Sequence, residues 1–235
     1  MALSSVVMQK TVHYQPVLIH DGVLQSNMET HHQVTTIQYK NYTLDNIINS
    51  IEDDIKNMPY QRPPAILISA GHEDISRHGI VKEYPFSESN KLKRLGEIEE
   101  VIASKFRRLN EIIKNKNGKM VIANLIPRPI DQSYEHRKGI KQSLQDFLSR
   151  LYIRINKVIQ EINMENGLQT PPFQKWLEKS VKQKTSNQKK IYKTRYEADL
   201  VHPTQEVVKK IENVIYKILE SLSTKSVAHT ASTSD

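Results

Sequence analysis

Apolar residues along the chain fall into two kinds of segment that alternate. Three short runs, Pro16-Val17-Leu18-Ile19, Ala65-Ile66-Leu67-Ile68-Ser69 and Met120-Val121-Ile122-Ala123-Asn124, are almost wholly apolar, the pattern of strands covered on both faces. Gln33-Val34-Thr35-Thr36-Ile37 is short and β-branched and reads as a further strand. Between and after them the period lengthens. Leu44, Ile47, Ile48, Ile51 and Ile55 follow Thr43, a good helix cap, and Ile98, Val101, Ile102, Phe106, Leu109, Ile112 and Ile113 form one stripe that stops at Asn117-Gly118. A third stripe runs from Ile140 through Leu151 to Ile162 and ends at Asn166-Gly167, where a left-handed cap is expected. The last, Val207 to Leu219, opens after Thr204. A fifth strand near Leu168 is expected on a weak signal, and Gly71 to Asn90 reads as irregular.

Strands that alternate with helices of ten residues or more imply parallel pairing through right-handed crossovers. The expected fold is therefore α/β: a three-layer α/β/α sandwich with a central parallel sheet of about five strands. One domain over residues 15–222 is expected, with an N-terminal extension, 1–14, and a polar, disordered C-terminal tail, 223–235.

Composition narrows the chemistry. The 235 residues are 37% hydrophobic, enough for one sizeable core, and contain no cysteine, which excludes disulfides, thiolate metal sites and a cysteine nucleophile. No window is apolar for the eighteen or so residues that span a bilayer, and the start MALSSVVMQK lacks a signal-peptide core, so the expectation is an intracellular protein, cytoplasmic or nuclear, with no membrane partner. A formal charge of +8 favours a polyanionic partner.

In an open parallel sheet, ligands gather at the carboxyl ends of the strands. The loops there contain His20-Asp21-Gly22, Lys40-Asn41-Tyr42, Gly71-His72-Glu73-Asp74, Pro127-Arg128-Pro129 and Asp199-Leu200-Val201-His202. Taken in order they resemble the blocks of the SGNH, or GDSL, hydrolase superfamily over residues 15 to 222. The resemblance places Asp21 and Gly22 at the Gly-Asp-Ser nucleophile turn, Asn41 at the oxyanion glycine, Glu73 at the oxyanion asparagine of Gly-x-Asn-Asp, and Asp199 and His202 at the Asp-x-x-His that completes the triad. The last block matches in spacing and place. The catalytic chemistry does not carry over, because Gly22 has no nucleophilic atom and a carboxylate at Glu73 would repel a developing oxyanion.

The resemblance therefore implies a degenerate, non-catalytic member without cofactor or metal, similar to the RNA-binding OSK domain of Oskar and to retroelement-encoded SGNH-like domains. Two basic clusters would supply phosphate contacts. Lys105, Arg107 and Arg108, with Lys114, Lys116 and Lys119, make the first; Lys175, Lys182, Lys184, Lys189, Lys190, Lys193 and Arg195, interleaved with Trp176 and Tyr192, make the second and offer stacking surfaces for bases. Two other classes remain open: an esterase with a displaced nucleophile, Ser26 or Ser69 acting with His202, and a protein-interaction scaffold. His72 and His78 have no helical spacing that would align them as zinc ligands.

Overall fold

A computed structural model describes residues 9–11, 13–20, 34–39, 43–58, 62–76, 87–125, 138–171, 205–223 and 226–228. In chain order the elements are β1 (Gln9–Thr11), β2 (Gln15–His20), β3 (Thr35–Gln38), α1 (Leu44–Lys56), β4 (Pro64–Ser69), α2 (His72–Ser76), α3 (Glu88–Asn115), β5 (Lys119–Ile122), α4 (Lys138–Glu165), α5 (Gln205–Ser223) and β6 (Ser226–Ala228). Strands β3, β2, β4 and β5 lie side by side in that order and every pairing is parallel.

The apolar runs are the sheet centre because both faces of β2 and β4 are covered. Val17, Ile19, Ile66, Ile68, Met120 and Ile122 pack with Ile47 and Ile51 of α1, Phe106 and Leu109 of α3, and Leu151 and Ile155 of α4. The alternate residues Leu18, Ala65, Leu67, Val121 and Ala123 pack with Ile215, Leu219 and Leu222 of α5. Three helices on one face and α5 on the other give the expected three layers.

The helix ends follow local chemistry. Thr43 donates from its backbone N–H to the Asn46 side chain at 3.1 Å and from its hydroxyl to the same oxygen at 2.9 Å, fixing the first turn of α1. At the end of α3 it is Asn117, at φ 56°, that takes the left-handed conformation. Gly118 has a different task. A Cβ there would sit 2.8 Å from the Pro64 carbonyl oxygen and from the Ile113 side chain, so the chain passes only as glycine. Helix α4 ends as expected, with Gly167 at φ 67° and the Leu168 N–H reaching back to the Asn163 carbonyl at 2.9 Å.

Three expectations need correction. The stretch Gly71 to Asn90 is not irregular throughout: His72–Ser76 forms the short helix α2, and α3 already begins at Glu88, after Ser87, with first turns whose residues 89–94 are exposed or half-buried. Among the described residues no strand forms at Leu168, whose side chain instead packs on the α5 side of the sheet. The tail is not wholly disordered: Ser226–Ala228 pairs antiparallel with Gln9–Thr11, joining the two ends of the chain in a small second sheet.

The outer edge of β5 is occupied by asparagine side chains of α4. Asn163 accepts the Ile122 N–H at 2.9 Å and donates to the Ile122 carbonyl at 2.8 Å. Asn156 does the same for Leu125, at 2.7 and 2.9 Å, and Asn166 donates to the Met120 carbonyl at 3.2 Å. A carboxamide carries one donor side and one acceptor side, as a peptide unit does, so it substitutes for a neighbouring strand. Buried backbone groups at a sheet edge require such partners.

Candidate functional site

The carboxyl ends of the strands collect buried polar side chains. His20 ends β2, Ser69 ends β4, His72 and Glu73 open α2, and Asn124 lies two residues beyond β5; all five are at most 7% exposed. His20 and Ser69 are register partners on neighbouring strands, continuing the rows of Leu18 and Leu67 that face α5. Polar groups buried together at one end of an otherwise apolar sheet mark the place where chemistry or binding is expected.

The segment Gly71-His72-Glu73-Asp74 is built as a turn. Gly71 has φ 115°, a conformation that disfavours any Cβ, and a Cβ there would lie 3.3 Å from the Phe106 ring. The turn delivers Asp74 to the start of α1, where its carboxylate accepts the Leu44 N–H at 2.8 Å. The other oxygen of Asp74 accepts from the Lys105 ammonium at 2.8 Å, and Lys105 also reaches Asp45 at 2.7 Å. Burial by itself would lower the Lys105 pKa, but the hydrogen bonds to Asp45 and Asp74 outweigh it and hold the ammonium above its usual value. Gly71 and Asp74 thus have structural work in this turn. Glu73 sits between them, buried, with a carboxylate where the resemblance places an amide donor.

The sequence-based candidates divide accordingly. Glu73 lies buried at the strand-end rim. Asp21, Gly22, Asn41, Asp199 and His202 lie outside the described residues, as do Ser26, the Pro127-Arg128-Pro129 loop and the second basic cluster with Lys175, Trp176, Lys182, Lys184, Lys189, Lys190, Tyr192, Lys193 and Arg195. The first cluster is not one patch. Lys105 is corrected from a phosphate ligand to a structural cation, its side chain 19% exposed between two carboxylates. Arg107 and Arg108 are exposed on α3, and Arg108 lies 3.4 Å from Glu111. Lys114 and Lys116 stand exposed at the far end of α3, and Lys119, which opens β5, lies 4.0 Å over the Tyr14 ring.

That far end is the amino end of the sheet, because Gln15 pairs with Pro64 and Ala65 with Lys119. Lys56, at the end of α1, and Arg62, just before β4, are exposed there too. Lys56, Arg62, Lys114, Lys116 and Lys119 therefore sit at the pole opposite Glu73, whereas Lys91, Lys93 and Arg94 open α3 at its other end and Lys105 is bound to Asp74.

Sequence reasoning placed His20 in a strand-end loop without giving it a role, and missed Asn124 at the rim and the Asn156, Asn163 clamp. The signal for the clamp was present: two asparagines seven residues apart on the apolar stripe of a helix, where polar residues persist only with partners.

No protein-family model matches the chain and no curated protein is significantly similar to it. Solved structures are similar in fold. A GDSL-like lipase from Bacteroides thetaiotaomicron superposes with a TM-score of 0.56 at 16% identity, covering 87% of this chain and 87% of that one. A member of the lipolytic G-D-S-L family from Veillonella parvula gives 0.58 at 12%, covering 88% and 98%. Phospholipase A1 from Streptomyces albidoflavus gives 0.57 at 12%, covering 88% and 100%. Across nearly its whole length, the chain has the α/β fold of the GDSL, or SGNH, lipolytic hydrolases.

Proposed function

We propose that this chain is a non-catalytic SGNH-like domain that binds single-stranded nucleic acid through its basic surfaces. The observation that carries the first half is the buried carboxylate of Glu73 at the strand-end rim, 5% exposed. An esterase needs donors around the developing oxyanion, and loss of one alone typically costs about a hundredfold or more in rate. The sequence adds Gly22 at the nucleophile position.

The second half is supported by charge. Lys56, Arg62, Lys114, Lys116 and Lys119 gather at the amino end of the sheet beside Tyr14, with Arg107 and Arg108 farther along α3. Asp53 and Glu165 share that pole, so its potential is positive without being extreme. Such a group of cations suits a flexible phosphate backbone, and Tyr14, half-buried beneath Lys119, lies beside it.

Binding of a fluorescent oligouridine, followed by anisotropy at low and at physiological salt, tests the reading. The expected result is binding that weakens steeply with salt and is lost when Lys114 and Lys116 are both replaced by glutamate. Absence of binding at both salt concentrations would overturn it.

A further inference from the structure

Asn124 carries a further inference. It lies between two residues whose backbones are fixed: the Ala123 N–H donates to the Ile68 carbonyl at 2.8 Å, and Leu125 is held through both its N–H and its carbonyl by Asn156. The Leu125 side chain in turn packs against Gly71, within 3.6 Å of where a Cβ would be. Asn124 is therefore positioned next to the turn that bears Glu73. It is 7% exposed, and its Oδ1 is buried with no hydrogen-bond partner among the described residues.

A buried acceptor left unmade costs about 1–3 kcal/mol. Such a group is retained where something else supplies the donor. The charges nearby restrict what that can be. Glu73 is a buried carboxylate on the same rim, and Asp74 and Asp45 together outnumber the one ammonium, Lys105, that bridges them. Among the described residues carboxylates outnumber ammonium groups here, which disfavours a phosphate, carboxylate or oxyanion. A neutral group rich in N–H donors is not disfavoured.

We propose that the strand-end rim takes the donor edge of an unpaired nucleobase, guanine before the others, with the Asn124 carbonyl oxygen as its anchor and Glu73 as a further acceptor. Guanine presents two adjacent donors, the ring N1–H and the exocyclic amine, whereas adenine, cytosine and uracil each place an acceptor beside their single donor group. Recognition of unstacked bases through this edge is the usual route to sequence preference on single strands. The site rests on the nucleic-acid reading above but is separable from it, since it binds a base and the amino-end pole binds phosphates.

The experiment has two arms on the full chain. In the first, anisotropy compares oligouridine with the same strand carrying one central guanine; about a tenfold preference for the guanine strand is expected. Asn124→Leu should abolish the preference while leaving salt-dependent binding of oligouridine intact, and should leave the melting temperature unchanged or raised. Asn124→Ser, a smaller change, provides the same comparison if the leucine variant does not fold. In the second arm, guanosine without any phosphate should raise the melting temperature and uridine should not. If oligouridine binds but guanine brings no preference, or if the preference survives in both Asn124 variants, the site is wrong and the amino-end pole stands. If RNA does not bind but guanosine stabilises the wild type and not Asn124→Leu, the pole is wrong and the site stands. Stabilisation by Asn124→Leu with no change in base preference would mean that water alone serves the acceptor, which also overturns the proposal.

Discussion

Asn163 holds Ile122 by both of its backbone groups, accepting the N–H at 2.9 Å and donating to the carbonyl at 2.8 Å. The same side chain reaches the Thr170 hydroxyl at 2.9 Å, so one buried amide closes the sheet edge and anchors the segment after α4. With Asn156 two turns earlier, it makes α4 a substitute for a fifth strand.

Replacing Asn163 by leucine keeps the volume and removes the pairing. The Ile122 N–H and carbonyl would be left buried and unpaired, a loss of about 2–4 kcal/mol. Chemical denaturation should show a lower midpoint at an unchanged slope, since the exposed surface on unfolding stays the same. Asn163→Asp should be at least as damaging, because a carboxylate can accept the N–H but cannot donate to the carbonyl and buries a charge.

How far the fold could be read in advance follows from which forces leave a periodic trace. The strands at Val17, Ile66 and Val121 and the stripes of the long helices were legible because each buries an apolar face, and burial imposes a period on the sequence. Before Leu95, residues 89–94 of α3 bury no side chain, so nothing periodic announces them. The clamp by Asn156 and Asn163 was only half legible: two asparagines on an apolar stripe signal that partners exist, but those partners lie 31 and 41 residues away in the chain, and no local pattern names a partner so distant. At the site, Gly71 and Asp74 were legible through the resemblance, whereas Asn124 belongs to no motif and stands out only through its burial.

Gly71 provides a local test of the rim. At φ 115°, alanine is strained by its backbone conformation and its Cβ would press on Phe106 at 3.3 Å. A loss of about 1–3 kcal/mol is expected for Gly71→Ala. Gly96, on α3 with open space around it, is the control: Gly96→Ala should hold or raise stability, by up to about 1 kcal/mol. Equal effects at the two positions would contradict the strained turn.

Alkaline pH should weaken the fold through two groups. Burial and the hydrogen bond to Asp54 push the Tyr39 pKa well above its usual value, and Asp45 and Asp74 hold that of Lys105 up as well. Both keep their protons in the folded chain after the unfolded chain has lost them. The folded state then binds more protons, so stability is fully present below about pH 10, the unfolded values, and declines as pH rises above them. Urea midpoints measured from pH 8 upward should fall beyond pH 10, and Tyr39→Phe should flatten that fall. A steeper decline in the phenylalanine variant would contradict the assignment.

The rim also predicts what would be needed to restore catalysis. If Glu73 and Gly22 are the two failures that separate this chain from an esterase, correcting one leaves the other in force. Gly22→Ser alone supplies an attacking oxygen beneath a repelled oxyanion, and Glu73→Asn alone supplies a donor with nothing to attack. The double variant should therefore gain turnover of a short-chain p-nitrophenyl ester that neither single variant shows, and His202→Ala should remove it, because histidine must take the serine proton. The gain from the asparagine, compared with Gly22→Ser alone, is expected to be about a hundredfold or more. The wild-type chain should be silent in the same assay. Ester turnover by the wild type, abolished by His202→Ala or by Ser69→Ala, would show instead that the nucleophile has moved and that the domain is an active hydrolase.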